Sequence, residues 1–192
     1  MADDPDPPVV ISISYGGPEY PDSQGEVEMY NAFNVQAMKL GVRGVTIMVA
    51  SGDDGANFFC EPCQGYNPSF PATSPYVTAV GATQGPGGSL SLDNDIACQS
   101  NLGGVITSGG GFSKIFSRPS WQTSAVESYF AAAATANVRP ESGYNENGRG
   151  YPDVSMNGIN FYVSLAVVSP SSIYPKTILL LLFPLPYPPR IT

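Results

Sequence analysis

The run Val45-Thr46-Ile47-Met48-Val49-Ala50 constrains this chain most. It is almost unbroken in apolar, largely β-branched residues, the composition of a strand buried on both faces of a parallel sheet. It stops at Ser51-Gly52-Asp53-Asp54-Gly55, where two glycines admit backbone angles closed to other residues. Upstream, Val9 to Tyr15 reads as a second strand ended by Gly16-Gly17-Pro18. Between the two, Glu26 to Leu40 carries a helical stripe of Val27, Tyr30, Phe33 or Asn34, Ala37 and Met38. Asp22 or Ser23 is its expected cap, and Gly41 its expected stop. Strand, helix and strand on short links require parallel strands and a right-handed crossover. In such a sheet, chemistry sits just past the carboxyl ends of the strands, which makes Asp53 the first site candidate. The competing reading is a turn or cap aspartate that satisfies nearby N–H groups.

Farther on, Tyr76 to Thr83 predicts another buried strand, and Gln84 to Ser89 a glycine-rich turn that fits neither dinucleotide nor P-loop spacing. Ser108-Gly109-Gly110-Gly111-Phe112-Ser113 is a loop whose backbone can approach a ligand closely, or simply a flexible turn. Pro119 to Ala136 predicts a helix capped by Ser117 or Ser120, Asn145 to Pro152 a polar loop, and Ile159 to Val163 a last strand. Residues 1–8 read as an acidic, proline-rich lead-in and 9–163 as one partial domain. Residues 164–192 form a tail with six prolines and no acidic residue, foreign to the domain. Its Ile178-to-Phe183 run falls far short of the roughly 20 residues a bilayer span needs.

Composition removes several functions. A net charge of −8 with only eight Lys and Arg argues against nucleic acid or an anionic membrane as partner. Histidine is absent, which excludes Ser-His-Asp and Cys-His chemistry and His-ligated metals within these residues. A hydrolytic proton must therefore pass through a carboxylate, lysine or tyrosine. Cys60-Glu-Pro-Cys63 with a single distant Cys98 is weak as a zinc site. A disulfide from Cys98 to Cys63, or alternatively to Cys60, is the expectation, and it implies an oxidising compartment. Met1 to Pro8 has neither the basic start nor the apolar core of a signal peptide.

Taken together, ASGDDGA around Asp53, FPATSPYVTAVGAT, SGGGFS and GRGYPDVS resemble the sedolisin family of serine-carboxyl peptidases, which includes the tripeptidyl peptidases. SISYGG resembles the substrate-aligning strand of subtilisins, and SPYVTAVGA a later strand of that fold. The resemblance spans roughly Val9 to Val163 and implies a subtilisin-like α/β fold, a mainly parallel sheet flanked by helices and here incomplete. It implies peptide hydrolysis at acidic pH. Asp53 then matches the oxyanion-hole aspartate, which donates a hydrogen bond when protonated. Ser14, Tyr15 and Gly16 match the segment that pairs with an extended peptide substrate. Gly109, Gly110 and Gly111 match a glycine loop with a structural role and a possible substrate contact.

The same resemblance marks what these residues do not hold. No Ser-Gly-Thr-Ser-Ala nucleophile stretch follows Pro152-Asp153-Val154. The family's Glu and Asp pair lies on a helix upstream of the first strand, and its calcium site in the C-terminal portion. The chain thus reads as the middle of a catalytic domain, inactive by itself, with no cofactor or metal of its own. Peptide or protein is the expected substrate class. The family is secreted or lysosomal or vacuolar, and the sequence does not fix a compartment. The alternatives are a peptide-binding fragment that uses the SISYGG strand without chemistry, and an unrelated α/β module whose SGDDG loop holds a ligand.

Overall fold

The computed structural model describes residues 2–57, 65–89 and 94–159. In chain order the elements are β1 (Val10–Ile13), β2 (Gly17–Pro18), α1 (Gln24–Gly41), β3 (Thr46–Ala50), β4 (Ser69–Phe70), β5 (Thr78–Gln84), β6 (Ile96–Ala97), β7 (Gly111–Ser117), α2 (Thr123–Thr135), β8 (Gly148–Tyr151) and β9 (Val154–Asn157).

The principal sheet runs β1-β3-β5-β9, all parallel. Ile13 lies opposite Val49, Ala50 opposite Val80, and Val80 opposite Val154. Carbonyls alternate sides along a strand. Those of Ala79 and Thr83 accept from Asp153 and Gly158 on the β9 side, while those of Val80 and Ala82 accept from Ser51 and Cys98 on the other. The short antiparallel β6 therefore continues along the edge of β5 that β3 vacates at Ala50.

Helix α1 lies against one face of this sheet. Its Ala37 and Leu40 pack with Ile47, Val49, Val77, Ala79 and Tyr151 in the core. Along the helix Tyr30, Asn34, Ala37 and Leu40 are buried, whereas Met38 faces outward. Ser23 occupies the N-cap position through its backbone, its carbonyl accepting from Val27, with no side-chain cap bond. Termination differs from expectation. Gly41 is still helical, and Gly44, at a φ of 81°, makes the left-handed turn that sends the chain into β3.

The opposite face follows from register. Val10, Ser12, Thr46, Met48, Ala50, Thr78, Val80, Ala82, Val154 and Met156 share it, and none of them is buried. Among the described residues no element covers that face.

A strand at Val154–Asn157 adds to what the sequence led one to expect; of the expected strand Ile159 to Val163, residues 160–163 lie outside the described residues. Asn145 to Pro152 is not all loop: Gly148–Tyr151 pairs antiparallel with Gly111–Ser117 as a separate two-stranded ribbon. The tail 164–192 also lies outside the described residues.

Candidate active site

Ser14, Tyr15 and Gly16 follow β1, and Ser51 to Asp53 follow β3. Because Ile13 and Val49 are register partners in parallel strands, both segments leave the sheet at the same carboxyl edge. Ser14 and Gly16 are half-buried and Tyr15 is 84% exposed. The strand itself ends at Ile13, so the three residues stand beyond the ladder with backbone groups clear of it. Gly16 has no room for a side chain: a Cβ there would lie 2.8 Å from the Phe70 carbonyl oxygen.

The loop bearing Asp53 is held by backbone bonds to the glycine loop. Thr107 N–H donates to the Asp53 carbonyl at 2.8 Å, Gly55 N–H to Thr107 at 2.9 Å, and Gly109 N–H to Gly52 at 2.8 Å. A Cβ on Gly109 would come within 2.0 Å of the Ser51 carbonyl oxygen, so only glycine permits this clip. Gly110 completes it with a 3.3 Å bond to Gly55. Ser108 fastens the loop to β5, its Oγ accepting from Ala82 N–H at 2.9 Å. The Asp53 side chain is left solvent-accessible on a fixed backbone. Partial burial raises its pKa above the ordinary value, and the neighbouring Asp54 charge adds to the rise. A carboxyl that retains its proton longer can donate a hydrogen bond, which is what a developing oxyanion requires.

The GRGYPDVS segment has a different task. The Arg149 guanidinium is fully buried and pairs with Asp153 at 2.6 Å. It also donates to the carbonyls of Ser74, Val77 and Gly150. Asp153 in turn accepts from Ala79 N–H at 2.7 Å, bolting the β8–β9 corner to β5. Tyr151 passes beneath and takes the Ser69 N–H; burial pushes its phenol up to about 12. Sequence reading quoted this motif without seeing that it is structural. The cue was an arginine four residues before an aspartate among glycines.

Glu19 was also missed. It is 2% exposed, yet it accepts from the Ser113 hydroxyl and the Lys114 N–H, both at 2.7 Å. It thereby ties the segment after Ser14–Gly16 to the strand after Gly109–Gly111. Cys98 is a buried free thiol whose Sγ donates to the Ile106 carbonyl at 3.3 Å. Its expected partners, Cys63 and Cys60, lie outside the described residues.

Beside the glycine loop opens a cavity of about 550 Å³, bounded by α2, β7 and β8. Its lining includes Ala56, three residues beyond Asp53, together with Gly110 and Gly111. Among the described residues no cluster of three or more His, Cys, Asp or Glu side chains could hold a metal ion. Nor is any helix there long and apolar enough to cross a membrane.

A parallel sheet with a helix on one face and a poised aspartate beyond its second strand is the framework of a subtilisin-like α/β fold. No family model matches the chain. Tripeptidyl-peptidase 1 of Bos taurus is 39% identical over 159 residues, and that of Homo sapiens 37% over 161. Both alignments cover 81% of this chain and 26% of the relative, so the chain spans about a quarter of the length of these curated proteins. Among solved structures, Pseudomonas sedolisin, a serine-carboxyl proteinase complexed with two molecules of pseudo-iodotyrostatin, superposes with a TM-score of 0.52 at 30% identity. That match covers 78% of this chain and 38% of the other. These similar proteins are peptidases by name. The likenesses, at 30–39% identity, support the sedolisin family of serine-carboxyl peptidases for the stretch they cover.

Proposed function

We propose that residues 9–159 provide the oxyanion and substrate-aligning part of a serine-carboxyl peptidase that works at acidic pH. One observation carries this reading: Asp53, on a backbone clipped to Thr107 and Gly109, leaves the same sheet edge as Ser14–Gly16. An extended peptide running along Ser14–Gly16 presents a carbonyl to the Asp53 carboxyl. The protonated acid then donates to the oxygen as charge develops on it. The nucleophile and its carboxylate pair are supplied by sequence other than these 192 residues, which hold neither a Ser-Gly-Thr-Ser stretch nor a histidine.

It follows that residues 1–192 alone hydrolyse nothing, since a donor without nucleophile and base leaves only residual acceleration. Purified chain assayed on peptide substrates between about pH 3 and 7, where perturbed carboxylates titrate, is expected to match the buffer background. Asp53→Ala should leave that background unchanged. Turnover abolished by Asp53→Ala would overturn the inactivity and point to another recruited serine.

A second reading, peptide binding without chemistry, is favoured by β1 itself. Its outer edge has no partner strand among the described residues. A peptide can add there as a further strand. The downstream reading frame separates the two: a Ser-Gly-Thr-Ser stretch restores the enzyme.

A further inference from the structure

We infer that the cavity beside the glycine loop is a pocket for a large aromatic side chain on the leaving-group side of the bound peptide; this rests on the peptidase reading of the Asp53 site. Its position is fixed by order across the sheet. Ser14–Gly16 follow β1, Asp53 follows β3, and the glycine loop that rims the cavity is docked on β5 through Ser108. A chain aligned along Ser14–Gly16 with a carbonyl at Asp53 continues, after that carbonyl, toward β5 and the cavity.

The two regions are physically continuous. Ala56 lines the cavity three residues after Asp53, and Gly110, bonded to Gly55, belongs to both the clip and the rim. A Cβ on Gly110 would press the Tyr151 carbonyl oxygen at 3.3 Å. The rim is thus bare backbone, the surface a peptide main chain needs if it is to pass closely.

The walls define the guest. Phe112, Phe130 and Tyr144 stack in a cluster with centroids 5.3–6.0 Å apart, and Tyr66 meets Tyr144 edge-on at 5.5 Å. Phe112, Tyr144 and Tyr66 line the cavity with Tyr129 and Trp121. Aromatic rings favour offset or edge-to-face partners at these separations, so such walls favour a further ring. Charge offers nothing to a cation. Asp153, the one ionisable carboxylate in the lining, is already paired with Arg149. A cavity of about 550 Å³ also exceeds what a short aliphatic side chain fills.

Trp121 lines this cavity, is 61% exposed and is the chain's only tryptophan, so its fluorescence reports occupancy directly. The probes are N-acetyl-4-nitrophenylalanine amide and the peptide Ala-Ala-Ala-4-nitrophenylalanine amide, titrated into residues 1–192. Three added residues extend about 10 Å, enough to run back past Asp53 toward Ser14–Gly16. Both probes should quench Trp121 saturably, the peptide at least tenfold more tightly. Ala125→Phe, which fills the cavity from an exposed helix position, should weaken both at least tenfold while the melting temperature stays within about 2 °C. Tyr129→Ala, which removes a half-exposed wall, should weaken both as well. Absent saturation with the amide, or affinity indifferent to both variants, overturns the pocket. Amide binding that the variants weaken, with no gain from the peptide, overturns the peptidase reading of the Asp53 site and leaves an aromatic pocket.

Discussion

Glu19 shows how a single side chain can join two parts of a site that lie far apart in sequence. The Ser113 hydroxyl it receives has no freedom: Ser113 Oγ already accepts from Ile115 and Phe116 N–H, so its proton points to Glu19. Both carboxylate oxygens are therefore acceptors, which favours ionisation. Burial opposes this and prevails, raising the group above its ordinary value of 4.5. A raised pKa means that the folded state binds the proton more tightly than the unfolded chain. The resulting stability is present below pH 4.5 and is lost as pH rises through the folded pKa. Glu19→Gln removes that titration but sets an amide N–H₂ against the Lys114 N–H or the saturated Ser113 oxygen, at a cost of about 1–3 kcal/mol. Urea unfolding at a series of pH values should show the variant's deficit shrinking as pH rises; a deficit that grows would refute the sign. Nothing around Gly17-Pro18-Glu19 announced a buried carboxylate, because its partners are 94 and 95 residues away. The place of Asp53 just past a strand, by contrast, was legible, since a strand end and two glycines are local signals.

At the level of elements, legibility followed the strength of period. The buried runs of β3 and β5 and the stripe of α1 each carry their own pattern, and each forms within two or three residues of expectation. β1 ends at Ile13, two residues early: its ladder with β3 stops at the Ile13–Val49 pair, although Ala50, next in register to Ser14, goes on pairing with Val80 of β5. α2 begins at Thr123, after a 3-10 turn over Ser120–Gln122. β8 and β9 escaped because Gly148-Arg149-Gly150-Tyr151 carries no apolar period and the alternation Val154-Ser155-Met156-Asn157 is only four residues long; Arg149 and Asp153 hold them instead. Removing one partner from so buried a pair strands a charge and typically costs about 3–5 kcal/mol. Asp153→Ala should therefore lower stability in that range in chemical denaturation. Glu146→Ala, which breaks the half-exposed pair with Arg139, should cost no more than about 1 kcal/mol. Equal losses would mean that the Arg149 network is not what pins the corner.

For the whole molecule, the two faces of one sheet make opposite demands. Ile47 and Val49 are packed beneath α1, whereas Met156 across the sheet is 55% exposed on the other side. Met156→Lys should change the stability of residues 1–192 by no more than about 0.5 kcal/mol, as surface substitutions do. Ile47→Lys buries an unpaired ammonium and should abolish cooperative unfolding. Comparable damage from Met156→Lys, read by thermal melts, would mean that the open face is sheltered in the full chain. The consequence of that face reaches past single substitutions. Among the described residues the sheet is clad on one side and has realised only part of the solvent release available to it, and any segment that clads the other side binds the folded state alone. The melting temperature then becomes a function of that segment's concentration, or of its tether if it belongs to the same polypeptide, and the fold behaves thermodynamically as one member of an equilibrium.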